Sequence, residues 1–136
     1  MKINAYLSFD GSCEEALKFY QSVLGGELSS METYGGSPAS EMVGPDWQDK
    51  IMHGSLETGE MTLMGSDLGP DQYQKPQGCH LAVDVKDPGE ADRIFAALAE
   101  GGNVVMPIDK TFWAERFGML TDRFGQNWMV NCEGTS

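Results

Sequence analysis

The sequence predicts an α+β fold in which two tandem β-α-β-β-β modules curl a mixed sheet around a central cavity. Three observations predict it. Two short amphipathic segments, each opened by a capping signal and closed by Gly-Gly, recur at like places in the two halves. Each follows one extended run and precedes three more. The last of these runs form an aromatic hairpin, Thr111 to Asn131, folded at Asp122-Arg123-Phe124-Gly125. A single domain over 1–136 is expected, with module one at 1–67, a linker at 68–77 and module two at 78–136.

Residues 3–9, INAYLSF, alternate loosely and read as the first strand. Asp10-Gly11-Ser12 turns the chain, and Ser12 with Glu15 fits a capping box that starts a helix near Cys13. Ala16, Leu17, Tyr20, Val23 and Leu24 give that helix an apolar face, and Gly25-Gly26 end it. Residues 27–34 read as a strand. Residues 35–49, GGSPASEMVGPDWQD, are expected to be a long loop of the kind that often forms a lid or a binding loop. Ile51 to Thr58 and Met61 to Ser66 read as two strands joined at Gly59-Glu60.

The second half repeats this order. Cys79 to Val85 is a strand, and Asp87-Pro88-Gly89-Glu90 opens a helix with an N-cap, a proline and a glutamate. Ala91, Ile94, Phe95 and Leu98 form its apolar stripe, Gly101-Gly102 end it, and Asn103 to Pro107 is extended. Setting Ser12 against Asp87 brings Glu15 onto Glu90, Ala16 onto Ala91, Tyr20 onto Phe95 and Val23 onto Leu98. One residue of slack then aligns the glycine pairs. A unit of this kind buries only one face of its sheet, so two should pair around a shared hollow.

Nine Lys and Arg against 21 Asp and Glu give a net charge of −12. Such a surface repels phosphate backbones, so no nucleic-acid partner is expected. The longest clean apolar run, Ile94 to Ala99, is far short of a membrane span, so no membrane partner is expected either. The start, Met1-Lys2-Ile3-Asn4-Ala5, has no basic leader before a long apolar stretch, which points to the cytoplasm. Cys13, Cys79 and Cys132 are odd in number and form no C-x-x-C pair, so neither a disulfide framework nor a structural zinc site is expected.

Three groups of residues carry a family resemblance: Tyr6-Leu7-Ser8-Phe9-Asp10-Gly11-Ser12-Cys13-Glu14-Glu15-Ala16 with Phe19-Tyr20; Ile51-Met52-His53-Gly54 with Met64-Gly65-Ser66-Asp67; and Thr111-Phe112-Trp113, Phe117-Gly118, Thr121-Asp122 and Phe124 to Asn131. With the doubled module, they resemble the vicinal oxygen chelate superfamily of glyoxalase I, bleomycin resistance proteins and extradiol dioxygenases. The likeness is to its PhnB-like branch, over nearly the whole chain. The resemblance implies that metal-dependent relatives draw four ligands from the first and fourth strands of the two modules. The repeat alignment puts Ala5, Met64, His80 and Met129 at those positions. His80 is the one ligand-type residue among them, and a catalytic cation wants three or four nitrogen and oxygen donors. No metal site and no cofactor are therefore expected. Members usually dimerise, so a homodimer is expected.

His80 is the candidate for hydrogen bonding or proton transfer, against a purely structural role or a metal ligand helped by Glu57, Asp67 or His53. His53 lies in a strand, on one face with Ser55 and Glu57, and reads as a surface or interface residue. Met64 and Met129 suit an adaptable apolar pocket, a soft Cu(I)-type site or plain core filling. Phe112 and Trp113 fit a pocket wall, a core plug or a dimer contact, the first being favoured. Arg116 suits either an anionic ligand group or a surface salt bridge. Asp122 reads as a turn former, and Tyr34 and Trp47 as weak lid residues.

The expected function is binding of a small apolar or aromatic molecule, in the manner of bleomycin resistance proteins. The alternative is a divalent-metal lyase or dioxygenase of glyoxalase type with a non-standard site. Proteins of this branch often carry a methyltransferase label. Here the glycine pairs follow helices rather than lead into them, so no S-adenosylmethionine site is expected.

Overall fold

The computed structural model describes residues 1–133 of the chain, so the last positions of the second predicted module, 134–136, lie outside the described residues. The chain divides into two compact units, Met1–Gln74 and Lys75 onward. In the first, β1 (Ala5–Phe9), α1 (Cys13–Leu24), β2 (Glu27–Thr33), β3 (Ile51–Glu57) and β4 (Thr62–Asp67) give a sheet of order β1-β4-β3-β2. In the second, β5 (Leu81–Asp84), α2 (Pro88–Ala99), β6 (Asn103–Asp109), β7 (Arg116–Thr121) and β8 (Asn127–Cys132) give the order β5-β8-β7-β6. In each, the first strand runs parallel to the last and the other pairs are antiparallel. This is the expected α+β arrangement of two β-α-β-β-β modules.

Each helix covers one face of its own sheet. Cys13, Ala16, Leu17, Tyr20 and Val23 of α1 are buried, with Leu7, Phe9, Leu56 and Leu63 from the strands. Ala91, Ile94, Phe95 and Leu98 of α2 are buried, with Leu120, Trp128 and Val130 from the strands. Matched glycines let the helices approach. A Cβ on Gly54 would stand 2.7 Å from Leu17 Cδ1, and one on Gly118 would stand 2.6 Å from Phe95 Cε2. The second glycine of each post-helix pair does the same for backbone. A Cβ on Gly26 would meet the Glu57 carbonyl oxygen at 2.2 Å, and one on Gly102 the Thr121 oxygen at 2.3 Å.

The helix starts differ from each other. Asp87 caps α2 as its sequence predicts, with Oδ2 accepting from the Glu90 amide at 2.9 Å and Pro88 at the first turn. The expected capping box of α1 does not form. Ser12 makes no side-chain cap, and the Cys13 amide donates to Asp67 Oδ1 of β4 at 2.9 Å instead. A buried carboxylate from a distant strand satisfies the helix better than a local hydroxyl, because it also meets the positive end of the helix dipole.

Residues 35–49 form a loop with two short 3-10 turns, Pro38–Met42 and Pro45–Trp47. Gln48 holds it closed, its Nε2 donating to the Ser40, Val43 and Gly44 carbonyls at 2.9–3.3 Å.

Candidate functional site on the open sheet faces

Successive strand residues point to opposite faces, so each sheet has a second face turned away from its helix. On the first sheet, Leu7 and Phe9 face α1, which puts Tyr6 and Ser8 on the open side. Tyr6 pairs in register with Met64, and Ser55 also pairs with Met64, so these share that face. His53, two residues before Ser55, joins them. The Tyr6 hydroxyl lies 3.5 Å from His53 Nδ1, with the rings 5.9 Å apart and tilted at 33°.

Behind this face the sheet is tied by Asp67, which is 1% exposed. Oδ1 accepts from Cys13 N, and Oδ2 accepts from Ile51 N at 2.8 Å. Its main-chain oxygen accepts from the Tyr34 hydroxyl at 2.7 Å. Burial pushes the Asp67 carboxyl above its usual range, and the Ile51 and Cys13 amides and Lys50 pull the other way. Burial also pushes the Tyr34 phenol up, helped by Asp67. The Cys13 thiol is raised far above its usual range by burial, then by Asp67 and Glu14, so it is not poised as a nucleophile.

On the second sheet the open face carries Ala82, Asp84, Phe117, Met119, Met129 and Asn131. Met119 pairs with Met129, Ala82 pairs with Met129, and Asn131 Nδ2 donates to Asp84 Oδ1 at 3.0 Å. The segment before β7 is turned by Thr111, whose Oγ1 accepts from the Ala114 amide at 3.0 Å while its own amide donates to the Ala114 oxygen at 3.0 Å. Ala114 is buried by that turn, and Phe112 and Trp113 are thrown outward. They form an edge-to-face run onto β7: Phe112 to Trp113 at 4.7 Å, then Trp113 to Phe117 at 5.4 Å. Phe112 is 96% exposed and Trp113 51%. Arg116 is engaged by Asp92 at 3.2 Å and by the Glu115 oxygen at 2.9 Å, the salt-bridge alternative of the sequence analysis.

Two predicted positions need correction. Ala5 shares the helix side with Leu7 and Phe9, so it does not face the open side where a ligand position is expected. His80 is exposed and precedes β5 rather than lying in it. The cause is the register of the repeat. The helices align at Ser12 and Asp87, but the strands align Tyr6 with Ala82, because these pair with Met64 and Met129 respectively. A slip of one residue reverses the face, which accounts for Ala5; His80, two residues before Ala82, departs only in lying outside the strand. Met64 and Met129 do lie on the open faces of their own sheets. Sequence reasoning missed Tyr6, whose place in the alternation of INAYLSF was the available signal, and it weighed Asp67 only as a metal helper, because its tie to Cys13 and Ile51 depends on chain distant from it. A groove of about 560 Å³ between Met1–Asn4 and the β3–β4 turn includes none of the predicted residues.

A model of the glyoxalase/bleomycin resistance protein/dioxygenase superfamily matches residues 2–130. The chain belongs to this superfamily. Protein YjdN of Escherichia coli (strain K12) is 34% identical over 139 residues, covering 96% of this chain and 95% of that protein. The crystal structure of protein PA1353 from Pseudomonas aeruginosa is 48% identical with a TM-score of 0.90, covering 99% of each chain. A Bacillus cereus structure described as a putative 3-demethylubiquinone-9 3-methyltransferase, PhnB protein, is 26% identical with a TM-score of 0.83, covering 97% of this chain and 99% of that one.

Metal-dependent members of the superfamily hold a divalent cation, and the residues here do not fit one. The expected set of Ala5, Met64, His80 and Met129 supplies two thioethers, one imidazole and a methyl group, and the strand-matched Tyr6 and Ala82 would add only a phenol and another methyl group. Among the described residues, no three His, Cys, Asp or Glu side chains gather as a metal-binding group. Among the described residues, no helix is long and apolar enough to cross a membrane.

Proposed function

We propose that this superfamily member binds a small apolar or aromatic molecule, as bleomycin-resistance-type proteins do, without a resident divalent cation. The observation that carries the reading is the Phe112–Trp113–Phe117 run, an edge-to-face series ending in a ring that is 96% exposed. An exposed aromatic held in place by a turn is a ready stacking surface, since little ordering remains to be done on binding. The thioethers of Met119 and Met129 lie on the same sheet face and add adaptable apolar contact. On the same footing we place the chain in the cytoplasm, where its free cysteines stay reduced, and expect it to form a homodimer. Val104, Val105 and Met106 on the edge strand β6 are exposed and offer apolar contact for a second copy.

The test is a thermal-shift titration with naphthalene and 2-naphthol in the presence of EDTA. A saturable rise that W113A abolishes supports the reading. Purified protein with stoichiometric metal and turnover of the methylglyoxal–glutathione hemithioacetal would replace it with the metal-dependent lyase.

A further inference from the structure

We propose that Tyr6 and His53 form a polar binding site on the open face of the first sheet. It takes an uncharged ligand through a hydroxyl or carbonyl oxygen. The inference concerns the first unit alone and does not lean on the aromatic run of the second.

Tyr6 stands on β1 and His53 on β3, with β4 between them. Two interstrand spacings separate the strands, about 9.6 Å, so the phenol lies across the open side of β4 to reach the imidazole. The fold does not ask for this pair. In the second unit, Ala82 takes the place of Tyr6, and Phe117, which precedes Gly118 as His53 precedes Gly54, takes the place of His53. The same architecture thus presents a phenol and an imidazole in one unit and a methyl group and a benzene ring in the other.

The geometry leaves the pair with unused capacity. A contact of 3.5 Å is at the outer limit for a hydroxyl hydrogen bond, whose usual length is about 2.7–2.8 Å. Tyr6 is 54% exposed and His53 is half-buried, so both groups are open to solvent in part. The phenol offers one donor and acceptor lone pairs, and a neutral imidazole offers one donor and one acceptor. A hydroxyl set between them donates to one and accepts from the other. A carbonyl oxygen accepts from both. Charge selects against anions, because Glu32 stands opposite His53 in register and the chain carries a net −12. Met64, in register with Tyr6, gives the ligand's carbon skeleton an apolar neighbour.

The chain has two histidines, so His80 serves as an internal control for an NMR experiment on the imidazole ring signals. Phenol is the probe, and toluene is the same ring without the hydroxyl. The expected result is a saturable shift of the His53 signals with phenol, little movement at His80, and no matching effect of toluene. Y6F, which keeps the ring and loses the hydroxyl, should weaken phenol binding about tenfold, with its fold checked by circular dichroism. The proposal is overturned if the His53 signals stay still up to the solubility of phenol. It is equally overturned if toluene moves them as far, or if folded Y6F binds phenol as the wild type does.

Discussion

The indole Nε1–H of Trp128 donates to Oδ2 of Asp122 at 2.8 Å, and both side chains are buried. Oδ1 of the same carboxylate accepts from the Phe124 amide at 2.9 Å and the Gln126 amide at 3.0 Å. One side chain thus shapes the β7–β8 turn and pins the largest ring of the second core. D122A leaves these donors without that acceptor, so it should lower stability by about 2–4 kcal/mol. The check is a urea unfolding midpoint that falls at unchanged slope. A loss under 0.5 kcal/mol would mean that the turn holds itself.

The two matched glycines should respond unequally to alanine. At Gly54 the added methyl meets Leu17 Cδ1 at 2.7 Å and Met31 Sδ at 3.3 Å, both on flexible side chains. At Gly118 it meets the Phe95 ring at 2.6 Å and the Ile108 backbone Cα at 2.8 Å. G118A should therefore cost more than G54A, within the range of about 1–3 kcal/mol usual for overpacking. Equal melting temperatures for the two variants would count against the close packing described for α2.

Asp67 gives a pH dependence of definite sign. Burial raises its carboxyl in the folded chain, with the Ile51 and Cys13 amides opposing. Between the usual carboxylate value and that raised value, the native state binds more protons than the unfolded state. The residue's contribution is therefore complete below the unfolded value and declines as pH rises through the folded one. The stability of the wild type minus that of D67N should be greatest in acid, fall through that window and stay level above it. Urea midpoints across the acid range give the answer. A difference that grows with pH would show the amides outweighing burial.

F112A and W113A should separate binding from stability. Phe112 is almost wholly exposed, so its truncation should change stability by less than about 0.5 kcal/mol. W113A removes the middle of the aromatic run and should weaken 2-naphthol binding about tenfold or more while the protein still melts cooperatively. Unchanged affinity in W113A would remove the stacking surface from the proposed function.

Much of the fold was legible because its signals are local. Asp87, Pro88 and Glu90 announce α2 within one turn, and the glycine pairs mark where each chain must pass close to a neighbouring strand. The Asp122 turn was legible for the same reason. The candidate site was harder to see because face assignment needs an absolute register. Transferring the helix alignment to the strands matched Ala5 to His80, whereas the sheets match Tyr6 to Ala82, and for Ala5 that error of one residue is a whole face. The α1 cap failed for a different reason. Ser12 has the right neighbours, but its role is taken by a carboxylate 54 residues beyond Cys13, and no local pattern foretells that. Tyr6 and His53, 47 residues apart, meet only once β4 is in place.

The unlike beginnings of the two helices bear on how the chain is made. As the polypeptide leaves the ribosome, α2 already has a local cap at Asp87, which lowers the cost of starting a helix that packing on its sheet then stabilises. The start of α1 stays ragged until the end of β4 has been synthesised and threaded alongside. The amino-terminal half should therefore mature as one late cooperative event and the carboxyl-terminal helix early. In pulse-labelling exchange, the amides of α2 should gain protection before those of α1, even though α1 is made first.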